Sequence, residues 1–170
     1  MRVAILGSGS WATALAKIVM HNASEINWYI RKQETIDEFI QTRRNPNHLE
    51  WAYFDVSCIH FSADINFTIN QSDLIIVAIP SPYLKEIFNE ITVDMSKKII
   101  ISAVKGMMPD SNILVTDFLH QHFQIPENQL GMITGPCHAE EIAFERLSYL
   151  TIGCSDLSNA NKWQPLFDTP

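Results

Sequence analysis

Four short stretches hold the residue types that could bind a charged ligand or act on it: Gly7-Ser8-Gly9-Ser10-Trp11-Ala12, Arg31-Lys32, Lys105-Gly106 and Gly135-Pro136-Cys137-His138-Ala139-Glu140-Glu141. The first follows the apolar run 2–6 and runs into a helical stretch over 13–20. Strand, glycine turn and helix in that order give the G-x-G-x-x-G/A pattern a mechanism. Gly7 allows the tight turn. Gly9 lets a pyrophosphate approach the backbone, and Ala12 is small enough for the helix to pack close to the strand. The free N–H groups at the helix start then face the phosphate charge. The alternative is a glycine turn that binds nothing, and the strand and helix on either side favour the dinucleotide reading.

An Asp or Glu at the end of the second strand would hydrogen-bond the adenosine ribose hydroxyls and select NAD. Arg31-Lys32 stands there instead. A guanidinium clamps a 2′-phosphate through two hydrogen bonds, so the chemistry leans to NADP or to acceptance of either nucleotide. A solvated basic turn is the other reading. Ser81 lies just past the apolar run 74–79, and in open α/β sheets ligands bind outside the carboxyl ends of the strands. It reads equally well as part of a strand-ending turn stiffened by Pro80 and Pro82. Lys105 follows the strand-like run 98–104, again at a carboxyl end. One positive charge there suits a phosphate or a reacting carbonyl oxygen, and Gly106 permits a tight turn beside a ligand.

In the fourth stretch Gly135 and Pro136 set a turn, and the early N–H groups of the helix behind it offer an anion or carboxamide site. His138 has the chemistry of an acid/base group, although one unpartnered histidine is more often structural. Cys137 beside His138 raises a thiol-nucleophile reading, but adjacent residues seldom face each other and the glycine turn points to hydride chemistry. His120 and His122 are two apart, and on a helix they point to different faces, so they read as a solvated helix end rather than a metal pair.

The elements that must position these residues alternate along the whole chain. Strands are expected at 2–6, 26–30, 56–61, 74–79, 98–104, 131–134 and 150–153. Helices are expected at 13–20, 33–43, 64–70, 83–91, 111–123 with Ser111 as N-cap, 138–144 and 159–167. Strands separated by helices imply βαβ crossovers: a Rossmann-type, doubly wound, mostly parallel sheet with helices on both faces. The run 74–79 is apolar almost throughout, as a central parallel strand buried on both faces should be.

The chain has 170 residues, enough for one α/β domain with a proper core. Its hydrophobic content of 46% is that of a globular chain, and no linker or repeat divides it. The net charge of −7 argues against a nucleic-acid partner, which wants a basic face, but not against a small anion held by local N–H groups. The longest apolar run is far too short to span a bilayer, so no stable membrane insertion is expected. Met1-Arg2-Val3 opens directly into a strand, so no signal peptide is expected either. Cys58, Cys137 and Cys154 are odd in number and lack metal-ligand spacing, which fits free thiols in the cytoplasm and no metal.

Taken in order, Gly7 to Ala14, Ala78-Ile79-Pro80-Ser81, Ser102-Ala103-Val104-Lys105-Gly106 and Gly135 to Glu141 closely resemble the amino-terminal cofactor domain of bacterial NAD(P)-dependent glycerol-3-phosphate dehydrogenase. The resemblance covers essentially the whole chain. It implies an oxidoreductase that interconverts sn-glycerol 3-phosphate and dihydroxyacetone phosphate for phospholipid synthesis. By motif, Ser10, Trp11 and Arg31, with Ala139, correspond to cofactor contacts. Lys105 corresponds to a contact shared by cofactor and substrate and is the supporting catalytic candidate. Gly135 and Cys137 correspond to substrate contacts. Cys137 departs from the Ser or Thr common at that position. The segment 45–51 is similar to the family's variable loop.

The family's main catalytic lysine has no counterpart here. The resemblance therefore implies that residues 1–170 are an NAD(P)-binding domain cut before a carboxy-terminal substrate domain, binding nucleotide without turnover. It allows a homodimer for the full-length protein. Two rival readings are a different reductase on a similar cofactor domain and a nucleotide sensor without catalysis.

Overall fold

The computed structural model describes residues 1–169. Six strands, β1 (Val3–Leu6), β2 (Ile26–Tyr29), β3 (Ile59–Ser62), β4 (Leu74–Val77), β5 (Ile99–Ser102) and β6 (Leu130–Thr134), run parallel, and β7 (Thr151–Cys154) pairs antiparallel with β6. Their order across the sheet is β3-β2-β1-β4-β5-β6-β7. Successive connections leave β1 in opposite directions, so a crevice opens between the carboxyl ends of β1 and β4. Ligands of doubly wound folds bind at such a switch point.

Alternation along the strands divides the core in two. Val3 and Ile5 of β1 and Ile76 of β4 face α1 (Ser10–Asn22), α2 (Gln33–Thr42) and α6 (Ala139–Ala143), and Trp163 of α7 (Leu157–Trp163) joins that core. Ala4, Leu6, Ile75 and Val77 face α3 (Ile65–Asn70), α4 (Ser81–Asn89) and α5 (Val115–Phe123). Helices therefore cover both faces. Burying each side chain of β4 removes its apolar area from water, worth about 1.5–3 kcal/mol for a Leu, Ile or Val and an upper bound against a compact unfolded chain. Ala12, Ala14 and Ala16 are fully buried on α1, and their small side chains bring that helix close to the sheet.

Several element boundaries differ from the sequence pattern, each for a local reason. Helix α1 starts at Ser10 rather than at 13, because the glycine turn leads straight into it. The third strand begins only at Ile59. Val56–Cys58 forms a 3-10 turn, since the Asp55 carboxylate accepts from the Ser57 N–H and hydroxyl and such local bonds compete with strand pairing. Ser81 opens α4 instead of belonging to a loop, with Pro82 in the first turn where a missing N–H costs little. Ser111 is not a helix cap. Asp110 and Asn112 take left-handed conformations at φ 68° and 54°, and α5 starts at Val115 behind Leu114; Asp and Asn tolerate that region in turns. The last helix starts earlier than expected, at Leu157, where Asp156 caps it by accepting from the Ser158 N–H. It ends at Trp163 in a 3-10 turn over Gln164–Leu166. His120 Nδ1 lies 2.8 Å from the Ile125 carbonyl, and His122 stacks on Phe118, so each has a packing role. Among the described residues no helix is long and apolar enough to cross a membrane.

Candidate functional site

The glycine turn at the carboxyl end of β1 is pinned from behind. Three successive carbonyls are each engaged by the domain: Gly7 accepts from the Trp28 indole at 2.7 Å, Ser8 from the Asn45 amide at 2.9 Å and Gly9 from the Thr13 hydroxyl at 3.0 Å. Asn45 is fully buried and also donates to Thr13 Oγ1 at 2.8 Å. With the carbonyls tied inward, the polar groups left for a ligand are the N–H groups of the first turn of α1, which have no partner within a helix. No acidic side chain occupies that turn to compete for them.

The two glycines of the turn differ in physical origin. Gly7 has φ +119°, and a Cβ there would sit 2.6 Å from the Ala78 carbonyl oxygen. It is glycine because β1 and β4 close together at that point. Gly9 has an ordinary extended conformation, φ −71° and ψ 175°, and a Cβ on it would meet nothing within 4 Å. Neither backbone strain nor internal packing asks for glycine at position 9. The space in front of it is the cradle that a bound pyrophosphate would fill, so the residues present fit a dinucleotide.

A second group gathers at the carboxyl ends of β4, β5 and β6. Lys105 Nζ stands 4.6 Å from the centroid of the Trp11 ring and donates to the Cys137 carbonyl at 3.3 Å. An ammonium over an indole face is attracted by the ring quadrupole, worth about 0.5–1 kcal/mol at an exposed site such as Lys105. Trp11 Nε1 is buried, with no hydrogen-bond partner among the described residues. Ser81 joins the group through Gly106, since a Cβ on Gly106 would lie 3.2 Å from Ser81 Oγ.

Cys137 is buried, and burial pushes its thiol above the ordinary cysteine range, with the charge of Lys105 opposing. A protonated, inaccessible thiol is a poor nucleophile, which disfavours that reading. Gly135 has φ +154°, and a Cβ on it would collide with the Tyr149 carbonyl, so this glycine has a packing reason of its own. Ala139 opens α6, but that helix is only Ala139–Ala143, so its early N–H groups carry little of the helix dipole toward the anion or carboxamide site that the sequence suggested. The His138 backbone N–H donates to the Glu141 carboxylate at 3.4 Å, and among the described residues no carboxylate lies within ion-pair distance of its ring.

Arg31 and Lys32 stand apart from this group, at the carboxyl end of β2, on the other side of β1 from β4 and β5. Lys32 is the residue before α2 and Arg31 is half exposed, with Nη1 3.5 Å from the Glu86 carboxylate of α4. The structure therefore brings together Ser81, Lys105, Trp11 and Cys137 at one end of the crevice and leaves the basic pair at the other.

Sequence reasoning passed over Trp28, Asn45 and His48. Trp28 reads as a core aromatic, and its indole N–H bond to Gly7 is invisible until β1 and β2 are in register. Asn45 sits in an Asn-Pro-Asn stretch that signals only a helix end. His48 Nδ1 lies 3.2 Å from Ser10 Oγ, which places the 45–51 loop over the start of α1. An Asn or His in a loop carries no signal for contact across about forty residues.

Residues 2–160 match the family model described as the N-terminus of NAD-dependent glycerol-3-phosphate dehydrogenase. A glycerol-3-phosphate dehydrogenase (NAD(P)+) of Oceanobacillus iheyensis is 29% identical over 170 residues, covering 99% of this chain and 48% of that protein. One of Lysinibacillus sphaericus is 27% identical over 168 residues, covering 98% and 49%. A solved glycerol-3-phosphate dehydrogenase of Plasmodium falciparum superposes with a TM-score of 0.88 at 29% identity, over 100% of this chain and 50% of that one. The chain thus spans about half the length of the curated relatives it matches. A pinned glycine turn at the switch point and a lysine held over Trp11 agree with that match, and the chain belongs to the NAD-dependent glycerol-3-phosphate dehydrogenase family, as its N-terminal part.

Proposed function

We propose that this chain is the nucleotide-binding half of an NAD(P)-dependent glycerol-3-phosphate dehydrogenase, acting in the cytoplasm on sn-glycerol 3-phosphate and dihydroxyacetone phosphate as a step toward phospholipid precursors. The observation that carries the reading is the turn itself: three carbonyls tied back, and a Gly9 whose missing side chain serves nothing inside the domain. The N–H groups of Ser10, Trp11 and Ala12 would hold the pyrophosphate. Arg31 and Lys32 would face the adenosine ribose, and Trp11, Ser81 and Ala139 would line the nicotinamide side.

When bound, the nicotinamide supplies the hydride. The protein's part is to orient it and to meet the charge that grows on the substrate oxygen. Lys105 is the group placed to meet that charge. Its exposed ammonium rests against the Trp11 ring and the Cys137 carbonyl, and a cation already oriented in this way stabilises a developing oxyanion. Gly135 and Cys137 would flank the substrate through their backbone. The three free thiols support the reducing compartment.

Titration of NADH and NADPH into the chain, followed by tryptophan fluorescence, tests the first half of the reading. Saturable binding of at least one nucleotide is expected, and binding of neither overturns it. The second half is tested by fusing the chain to the carboxy-terminal half of the Oceanobacillus relative. Oxidation of the nicotinamide with dihydroxyacetone phosphate is expected, reduced about a hundredfold or more by Lys105→Ala. Unchanged turnover in that variant would remove Lys105 from the mechanism.

A further inference from the structure

The Arg31–Glu86 pair is not explained by the fold. Both side chains are largely exposed, at 50% and 63%, and exposed pairs of this kind contribute little to stability. Its position is more informative than its strength. Arg31 extends from the end of β2 and Glu86 from α4, the helix that follows β4, so the pair bridges the two sides of the crevice at its adenosine end. Among the described residues Glu86 is the only carboxylate within ion-pair distance of Arg31, and the neighbouring Lys85 is committed to Asp110 at 2.8 Å. Other acids surround the same spot. The buried Tyr29 phenol is held above its ordinary value first by burial and then by Glu90, with Glu86 and Asp64 adding to the effect and Arg31 opposing it.

A 2′-phosphate brings about 1.5–2 negative charges to this place. It needs both arms of the guanidinium for a bidentate clamp, and Nη1 is turned toward a carboxylate. NAD brings only hydroxyls there, which can donate to a carboxylate.

Resting on the dinucleotide reading above, we propose that Glu86 is a nucleotide-selecting residue: by engaging Arg31 across the crevice it lowers the advantage of a 2′-phosphate and keeps NAD competitive on a strand end that otherwise favours NADP. The acid that NAD-selecting folds carry at the end of β2 is supplied here from α4.

The test is a titration of NADH and NADPH into the native chain, Glu86→Gln, Arg31→Ala and the double variant, at low and at high ionic strength. Glu86→Gln is expected to tighten NADPH about threefold to tenfold and to leave NADH within about twofold. The gain is expected to shrink at high salt, because exposed charges are screened, and to vanish in the Arg31→Ala background. Equal shifts for both nucleotides, no shift, or a gain that survives without Arg31 would each overturn the proposal. If the native chain binds neither nucleotide, the functional reading fails and this proposal with it. If it binds both and Glu86→Gln leaves their ratio unmoved, only this proposal fails.

Discussion

The two ends of the crevice hold their exposed cations against different partners. At one end the exposed Lys105 rests on a ring face and a backbone carbonyl, beside a buried thiol and an indole N–H with no partner among the described residues. At the other, Arg31 reaches through solvent to a single exposed carboxylate. Lys105 is itself exposed, but a ring and a carbonyl of the fold hold its ammonium, which suits charge stabilisation at one reacting atom. A solvated pair can be exchanged for a ligand group at small cost, which suits a choice between two nucleotides that differ by one phosphate. Between them lies the glycine turn, which both nucleotides would share.

The largest effect is expected at the turn's inner glycine. Gly7→Ala places a Cβ against the Ala78 carbonyl at a φ that side chains rarely adopt. Strain and clash together should cost about 2–5 kcal/mol, read as a fall in the denaturant midpoint. A midpoint unchanged from native would show that β1 and β4 do not close as described. The outer glycine separates binding from folding. Gly9→Val should alter stability by about 1 kcal/mol or less yet weaken NADH and NADPH alike, about a hundredfold or nearly 3 kcal/mol. Retained affinity for either nucleotide would mean that the pyrophosphate does not pass over Gly9.

A smaller effect should separate the ends. Arg31→Ala is expected to weaken NADPH about tenfold, the lower limit for a charge-assisted pair because Arg31 is exposed, and NADH by less than about threefold. Lys32 can take over part of this role, so the double change should enlarge the NADPH loss. Equal losses for the two nucleotides in the double variant would dissolve the distinction between the ends. The smallest effect concerns Cys137. Burial raises its thiol pKa, so its thiolate fraction at neutral pH is below that of an ordinary cysteine and grows only as pH rises through the raised value. Iodoacetamide should label Cys58 and Cys154, both partly exposed, before Cys137, as mass spectrometry of the time course would show. Early labelling of Cys137 would mean that its thiol is not buried as described.

Residue order alone determined much of this protein. Alternating apolar runs and helical stretches specify a doubly wound sheet, because a parallel strand pair needs a crossover helix and a strand buried on both faces must be apolar throughout, as Leu74–Val77 is. The glycine turn, Arg31-Lys32, Ser81 and Lys105-Gly106 were legible because each follows a strand end, where this architecture binds ligands. Local hydrogen bonds at Asp55 and left-handed turns at Asp110 and Asn112 shifted boundaries that periodicity could not place.

The tertiary structure decided which of these residues meet. Register between β1 and β2 puts the Trp28 indole on the Gly7 carbonyl, and a buried Asn45 ties the turn to the far end of α2. Packing shows that Gly7 is required by the fold and Gly9 is not, a difference that two identical letters conceal. It also pairs Arg31 with Glu86 across 55 positions of chain. Side-chain chemistry follows from the letters, but whether a charge is packed, paired or free depends on distances that only the folded chain sets.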